Sequence, residues 1–299
     1  MRNKELKMKN EKVDGPLMPY RQRLGGFRGL IFFHFLFFIF HFSFPTALFA
    51  QADTSIKLLR VLPGEYVDFT VDNLGNIFLL DRNNQLKKLS PQGDSIAVYS
   101  NAPRFGNLYS IDASNPMKVL LYYRDFGTIV ILDRLLNPRS NIDLRKLNIL
   151  QARAICQSYD NAVWVYDEGE AKLKRVADDG SILDQTGDLR LQLDEAPSPS
   201  VIADNDRLVY LYDSAKGLLA FDYYGTLKNK IAFLGWQDFQ VIGKYVVGRR
   251  GVVLERYQLS TLQLQERALP GLLDNAARVR VALDRLYCLR NNRLFIYAL

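Results

Sequence analysis

Short apolar runs that end in a charged residue recur along most of the chain. The clearest run is Ile77-Phe78-Leu79-Leu80-Asp81, and later runs of similar composition end at Asp125, Asp167, Asp213, Arg249 and Arg290. Runs of four to six apolar residues between turn-forming residues are typical of strands that are buried on both faces. The pattern therefore predicts an all-β chain.

The spacing of these runs predicts a repeated unit. Their last residues lie 44, 42, 46, 36 and 41 positions apart. A second landmark keeps the same register, because a small turn residue follows the first four run ends by 12 or 13 positions: Gly93, Asn137, Gly180 and Gly225. One four-stranded propeller blade occupies about 40 to 50 residues. We therefore predict a six-bladed β-propeller over residues 53–299.

The two ends of this region predict how the ring closes. The segment Arg293 to Leu299 is the third strand of the sixth unit, and no fourth strand follows it. The segment Ser55 to Leu62 precedes the first unit and is similar to the predicted outer strands. We expect it to complete the last blade and so to remove a free sheet edge. A β-sandwich or a set of unlinked hairpins is the alternative.

The first unit resembles the NHL-type repeat of six-bladed propellers, a group close to the TolB-like propellers of exported bacterial proteins. The residues that carry the resemblance are Asp72, Gly75, Asn76, Asp81 and Gly93. Later units match less well, and units five and six lack the terminal aspartate. The resemblance implies a propeller over residues 53–299. It implies no particular activity, because such propellers include ligand-binding domains, scaffolds and a few enzymes.

The first 52 residues have the pattern of an export signal. Basic residues that end with Arg21, Arg23 and Arg28 precede the apolar run Leu30 to Phe40, and Ala50-Gln51-Ala52 follows. The run is shorter than the ~20 residues that cross a membrane. We predict a signal peptide over residues 1–52 with cleavage near Ala52, a periplasmic or secreted product, and no membrane span after cleavage. An uncleaved anchor is the alternative.

Removal of this segment changes the charge of the chain. Residues 1–52 hold eight of the 39 Lys and Arg residues and three of the 32 Asp and Glu residues, which leaves 31 basic and 29 acidic residues. A net charge of about +2 gives no support to nucleic-acid binding.

The two histidines, His34 and His41, also lie in the predicted signal, which excludes Ser-His-Asp and Cys-His mechanisms for the rest of the chain. We expect no enzymatic activity, no catalytic residue, no metal and no cofactor.

Two repeated or paired residue types have a simple structural interpretation. Asp81, Asp125, Asp167 and Asp213 each precede a turn, where a carboxylate accepts backbone N–H bonds, so a calcium ring is the less favoured interpretation. Cys156 and Cys288 fall on blades on opposite sides of the ring, and we expect two buried, unpaired thiols.

Arginine and aromatic residues concentrate in the predicted turns between second and third strands and in the blade-to-blade connections, which we expect on one face. The candidate binding residues are Arg82, Arg104, Phe105, Arg124, Phe126, Trp236, Arg249 and Arg250. Such residues favour recognition of a partner protein. Arg249 and Arg250, between Gly248 and Gly251, are the sharpest candidates, because two guanidiniums could meet a carboxylate or phosphate. A solvated face with incidental arginines is the alternative.

These observations favour a monomeric binding or scaffolding module for a protein or peptide partner in the bacterial cell envelope. The alternative is a metal-dependent hydrolase of the sugar-lactone lactonase type. Its metal ligands would come from inner strands or from the loops that enter them, where the sequence offers Glu65, Asp68, Asn107 and Asp238. Their spacing does not single them out.

Overall fold

The structure, a computed structural model, describes residues 56–100, 102–193 and 195–299. These residues belong to one unit of the chain, Ala52–Leu299. The predicted signal peptide lies outside the described residues. Among the residues described, no helix is long and apolar enough to cross a membrane.

The described strands form six four-stranded antiparallel sheets. Strand β1 (Lys57–Leu62) is followed by blade one, which contains β2 (Tyr66–Val71), β3 (Ile77–Asp81), β4 (Gln85–Leu89) and β5 (Ser95–Ser100). Blade two contains β6 (Ser110–Asn115), β7 (Lys118–Tyr123), β8 (Thr128–Asp133) and β9 (Pro138–Asp143). Blade three contains β10 (Ala152–Gln157), β11 (Val163–Asp167), β12 (Lys172–Val176) and β13 (Ile182–Gln185).

The second half of the chain repeats this arrangement. Blade four contains β14 (Val201–Asn205), β15 (Leu208–Asp213), β16 (Gly217–Asp222) and β17 (Leu227–Ile231). Blade five contains β18 (Gln237–Ile242), β19 (Tyr245–Arg250), β20 (Val253–Gln258) and β21 (Gln263–Ala268), and blade six contains β22 (Arg278–Ala282), β23 (Arg285–Arg290) and β24 (Arg293–Ala298). The short helical segments are α1 (Ala102–Phe105) and the 3-10 turns Arg124–Phe126, Leu144–Leu147 and Leu189–Leu191.

The first strands of the blades form the inner ring. Each contacts the first strand of the next blade, and β22 of blade six contacts β2 of blade one. Strand β1 pairs antiparallel with β24, with Leu58 opposite Tyr297 and Leu62 opposite Leu294. The predicted six-bladed propeller and its closure by the N-terminal strand are confirmed.

The hydrophobic core is divided among the gaps between neighbouring blades. In β7, Leu120 and Tyr122 pack in the gap toward blade three, whereas Leu121 and Tyr123 pack in the gap toward blade one. The second strand of a blade is therefore buried on both faces. This explains why the sequence shows continuous apolar runs there and no alternation with polar residues.

Three tyrosines at equivalent places on second strands tie each blade to the next segment of chain. The hydroxyl of Tyr122 donates to the backbone oxygen of Ala152 at 2.6 Å, and that of Tyr166 donates to Pro197 at 2.8 Å. Tyr212 repeats the contact with the backbone oxygen of Phe233 at 3.1 Å. Burial raises the pKa of Tyr122 and of Tyr212 to about 12.

The recurrent aspartates mostly have the predicted structural role. An Oδ1 atom of Asp81 accepts from the backbone N–H of Asn83, and Asp167 and Asp213 each accept from the residue two positions on. Asp125 differs, because it lies within the 3-10 turn Arg124–Phe126. The two cysteines, Cys156 and Cys288, are buried and free.

We expect the free energy of unfolding to fall as the pH rises above about 10. The unfolded chain loses tyrosine protons near pH 10, whereas Tyr122 and Tyr212 in the folded state hold theirs to about pH 12. The stabilisation from the protonated phenols is therefore complete below pH 10 and is lost between pH 10 and 12. Urea unfolding at pH 8 and pH 11 measures the loss, which should be smaller in Tyr122→Phe. The control Tyr224→Phe changes an exposed ring and should keep the wild-type pH profile. An unchanged profile in Tyr122→Phe would contradict the assignment.

We also expect the closing strand to contribute measurably to stability. Leu62 packs in the cluster between blades six and one, whereas Leu58 on the same strand is exposed. Leu62→Asp should lower the free energy of unfolding by about 2–4 kcal/mol, because it removes the apolar contacts of Leu62 with this cluster and places a charged group against it. Leu58→Asp should change it by less than about 0.5 kcal/mol. Urea denaturation compares the two, and equal effects would argue against a closed ring in solution.

Candidate binding cleft on the loop face

The turns between second and third strands and the blade-to-blade connections share one face, as expected. We call it the loop face. The amide of Asn84, in the turn after β3, donates to Asn107 in the next connection at 3.1 Å. Nη2 of Arg145, in the connection between blades two and three, donates to the backbone oxygen of Asp125 in a turn at 2.6 Å.

Arg249 does not present its guanidinium to solvent, so that prediction is wrong. Its side chain is buried, and Nε lies 2.7 Å from Oδ2 of Asp238. Nη1 and Nη2 donate to the backbone oxygens of Gly251 and Ala276. Successive residues of a strand point to opposite faces, so Arg249 points inward while Arg250 stays exposed. Arg250 lies 3.5 Å from the carboxylate of Glu255.

Trp236 is also a core residue and does not form part of an exposed surface. Its side chain is buried, and Nε1 donates to Oε2 of Glu255 at 2.8 Å. The ring occupies the space beside Gly248, where a Cβ atom would lie 2.2 Å from it. Gly248 therefore makes room for the indole within β19, and the turn itself depends on Gly251, whose φ is 60°.

The other predicted residues lie on the loop face. Arg82 pairs with Glu65 at 3.2 Å, and both side chains are exposed. The guanidinium of Arg104 lies 5.1 Å from the ring of Phe105. Phe126 is exposed and lies close to Gly106 in the connection from blade one.

The structure thus separates the predicted set into two groups. Arg104, Phe105, Arg124 and Phe126 gather around blade two, in its turn and in the connection that leads to it from blade one, and Arg82 lies in the neighbouring turn of blade one. Arg249, Arg250 and Trp236 belong to blade five and its connection, three blades away around the ring. Whether any of these residues binds a partner stays a prediction.

A cleft of about 250 Å³ opens on the loop face between blades two and three. We call it the interblade cleft. The residues of its lining that matter here are Arg124, Asp125, Arg145, Leu150, Arg153 and Glu168.

Aromatic rings and backbone oxygens hold two of the three arginines in place. The guanidinium of Arg124 lies 3.4 Å from the ring centroid of Tyr109, and Nη2 donates to the backbone oxygen of Arg153 at 2.7 Å. Arg145 lies over the ring of Phe126 at 5.7 Å. Cation–π contacts of this kind stabilise a guanidinium without using its N–H donors.

A β-bulge aims the third arginine into the cleft. The pairing of β10 with β11 shifts between Ala152 and Ala154, so Arg153 has no partner in the ladder. A bulge redirects one side chain and is common at the rims of barrels and near functional sites. Nε of Arg153 lies 4.0 Å from Oε1 of Glu168, and Glu168 also accepts from the hydroxyl of Ser198.

Sequence reasoning named Arg124 but missed Arg145 and Arg153. Arg145 lies in a blade-to-blade connection, so the rule that found Arg104 would have found it too. Arg153 lies on an inner strand, and its direction depends on a bulge that no residue type announces.

The residues considered for a metal site are engaged elsewhere. Asp68 pairs with Nε of Arg278 at 2.7 Å, Glu65 pairs with Arg82, and Asp238 pairs with Arg249. Burial raises the pKa of Asp68 although Arg278 lies next to it. Across the described part of the chain, no group of three or more His, Cys, Asp or Glu residues is placed to hold a metal ion. No observation favours the lactonase alternative.

Comparisons with known proteins show the fold. No protein-family model matches the chain, so the NHL-type assignment stays a prediction, and no curated protein matches it either. A catalytically inactive histidine-to-alanine variant of virginiamycin B lyase from Staphylococcus aureus, solved with quinupristin, is 14% identical, with a TM-score of 0.55 over 79% of this chain and 81% of the lyase. The β-propeller domain of Cps50 (Swd1) from Myceliophteria thermophila is 8% identical, with a TM-score of 0.57 over 82% and 99%.

A third solved structure gives the same picture. The WD40 domain of Pan2 from Neurospora crassa is 10% identical, with a TM-score of 0.54 over 79% of this chain and 89% of that domain. Identities this low show a shared propeller fold and leave function to the site itself.

We expect Arg249→Ala to destabilise the fold strongly, because Asp238 would stay buried without its partner. A broken buried ion pair costs about 3–5 kcal/mol. The neighbouring change Arg250→Ala should cost less, because Arg250 is exposed and the buried carboxylate of Glu255 keeps its hydrogen bond from Trp236. Urea denaturation of the two variants tests this, and an Arg249→Ala protein as stable as the wild type would contradict the stabilising role of the buried ion pair.

Proposed function

We propose that this chain is an exported module of the bacterial cell envelope that binds a protein or peptide partner through its loop face and performs no chemistry of its own. One observation carries the proposal. The Nε atoms of Arg124 and Arg153 are buried without a hydrogen-bond partner in the described structure, and both arginines line the interblade cleft. The Nε atoms of Arg175 and Arg280 are also unpaired, away from the cleft, so what marks the cleft is the convergence of Arg124 and Arg153 with Arg145 on one opening.

The surroundings of the cleft support a macromolecular partner. Leu150 is 77% exposed and Phe126 is 47% exposed, next to the arginines that line the cleft. Arginine and aromatic residues beside exposed apolar side chains are the composition that protein interfaces favour. The core between blades fixes the strands from which these short turns and connections extend, so the surface is preorganised and its ordering costs little on binding.

The enzymatic alternatives have less support. The lyase variant is catalytically inactive with one histidine replaced by alanine. Residues 56–299 of this chain contain no histidine that could take the place of that residue. For a lactonase, the candidate ligands Asp68 and Asp238 already pair with arginines. The location in the envelope rests on the predicted signal peptide, and the binding role rests on the cleft.

Site-specific photo-crosslinking in intact cells tests the proposal. A benzophenone amino acid at position 150 should give a discrete crosslinked product with an envelope protein, because this side chain lies at the cleft. The matched control is position 262, where Leu262 is 69% exposed in the turn between β20 and β21, on the opposite face. Mass spectrometry identifies the products. Identical products from both positions, or none from position 150, would refute the proposal.

A further inference from the structure

We infer that the interblade cleft recognises a carboxylate group carried by an extended peptide segment. This inference rests on the proposed function and names the chemistry of its partner. It depends on the geometry of three arginines, on the charge of the cleft and on its size.

The three arginines come from three separate segments of chain. Arg124 follows β7, Arg145 lies in the connection between blades two and three, and Arg153 lies in the bulge of β10. Arg124 and Arg153 are also linked directly, because Nη2 of Arg124 donates to the backbone oxygen of Arg153. Their side chains therefore converge on one space while their backbones are fixed by two different blades.

Two of the three guanidiniums, those of Arg124 and Arg153, retain an Nε–H donor that the protein does not use. A guanidinium carries five N–H donors in a rigid planar fork that matches a carboxylate. Nε of Arg124 and Nε of Arg153 have no hydrogen-bond partner among the described residues. A small movement of either side chain toward a bound anion would expose and satisfy these donors.

The charge of the cleft favours a single negative charge. Its lining has three arginines, Arg124, Arg145 and Arg153, and two acids, Asp125 and Glu168. The sum is +1, which one carboxylate neutralises. A phosphate dianion would give the cleft a net negative charge, and it would be repelled by the carboxylate of Glu168. A carboxylate is therefore favoured over a phosphate.

The size of the cleft favours a short piece of peptide. A volume of about 250 Å³ is below the ~300–1,000 Å³ of pockets that enclose whole small-molecule ligands. Leu150 also lines the cleft and is exposed, so it offers an apolar surface in the same cleft as the charged groups. The arrangement fits an acidic group with an apolar neighbour, from either a chain terminus or an aspartate or glutamate side chain.

Nuclear magnetic resonance of arginine Nε–H groups tests the inference on the purified protein. Three hexapeptides of one neutral, leucine-containing sequence serve as probes: one with a free C-terminal carboxylate, one with that terminus amidated, and one amidated with an internal aspartate. Inorganic phosphate is the fourth probe. At least one carboxylate peptide should shift the Arg124 and Arg153 signals saturably and bind at least about tenfold more tightly than the neutral amide and phosphate. The peptide that binds better identifies the source of the carboxylate.

Lysine variants provide the control. Arg124→Lys and Arg153→Lys keep the charge but lose the planar fork, and each should weaken peptide binding about tenfold. Arg190→Lys is the matched control, because Arg190 lies on the same face and is already paired with Asp188 at 2.7 Å. Arg190→Lys should leave peptide binding unchanged. Each of the three variants also removes one Nε–H signal from the spectrum and so assigns it.

Two results would overturn the inference: no shift of the Arg124 and Arg153 signals at peptide concentrations on the order of 10 mM, which covers weak millimolar binding, or equal binding of the neutral amide. A crosslinked partner at position 150 together with either result would leave the proposed function standing and remove the carboxylate. Carboxylate binding without a crosslinked partner would support the carboxylate site and refute the proposed function.

Discussion

The whole structure depends on the inability of any one blade to bury both of its faces. A single four-stranded sheet of this sequence has apolar residues on both sides of its second strand, as Leu120 and Leu121 show, and each side needs a neighbouring sheet. Stacking six sheets around an axis provides those neighbours for every blade, provided that the ring closes. Strand β1 closes it by pairing with β24, which also removes the free edge of the last blade.

This closed ring makes the loop face a rigid support. The tyrosine contacts from Tyr122, Tyr166 and Tyr212 tie second strands to the chain that begins the following blade. The interblade cleft lies directly above one of these contacts, since Tyr122 and Ala152 are part of its lining. The contact that joins blades two and three thus also sets the distance between the arginines that each blade contributes.

Two arginines illustrate how one residue type serves opposite purposes. Arg249 is buried with Asp238, and its donors meet backbone oxygens of the protein, so it stabilises blade five. Arg153 projects from a bulge, and its Nε has no hydrogen-bond partner in the described structure and lies 4.0 Å from Oε1 of Glu168. Two nearby glycines draw attention to Arg249 in the sequence, but neither serves its exposure. Gly248 makes room for the ring of Trp236, and Gly251 forms the turn.

The sequence by itself determined the architecture. Its continuous apolar runs indicate strands that are buried on both faces, and these runs repeat at the spacing of propeller blades. It also determined the closing strand, which is similar to the other outer strands, and the turn role of Asp81, Asp167 and Asp213, which depends on local hydrogen bonds. Only the tertiary structure decided which charged side chains face outward. The direction of Arg249 follows from strand alternation and from Asp238 on the neighbouring strand, and the direction of Arg153 follows from a bulge. A binding cleft between blades is made of residues distant in sequence, and their convergence is a property of the ring rather than of any segment.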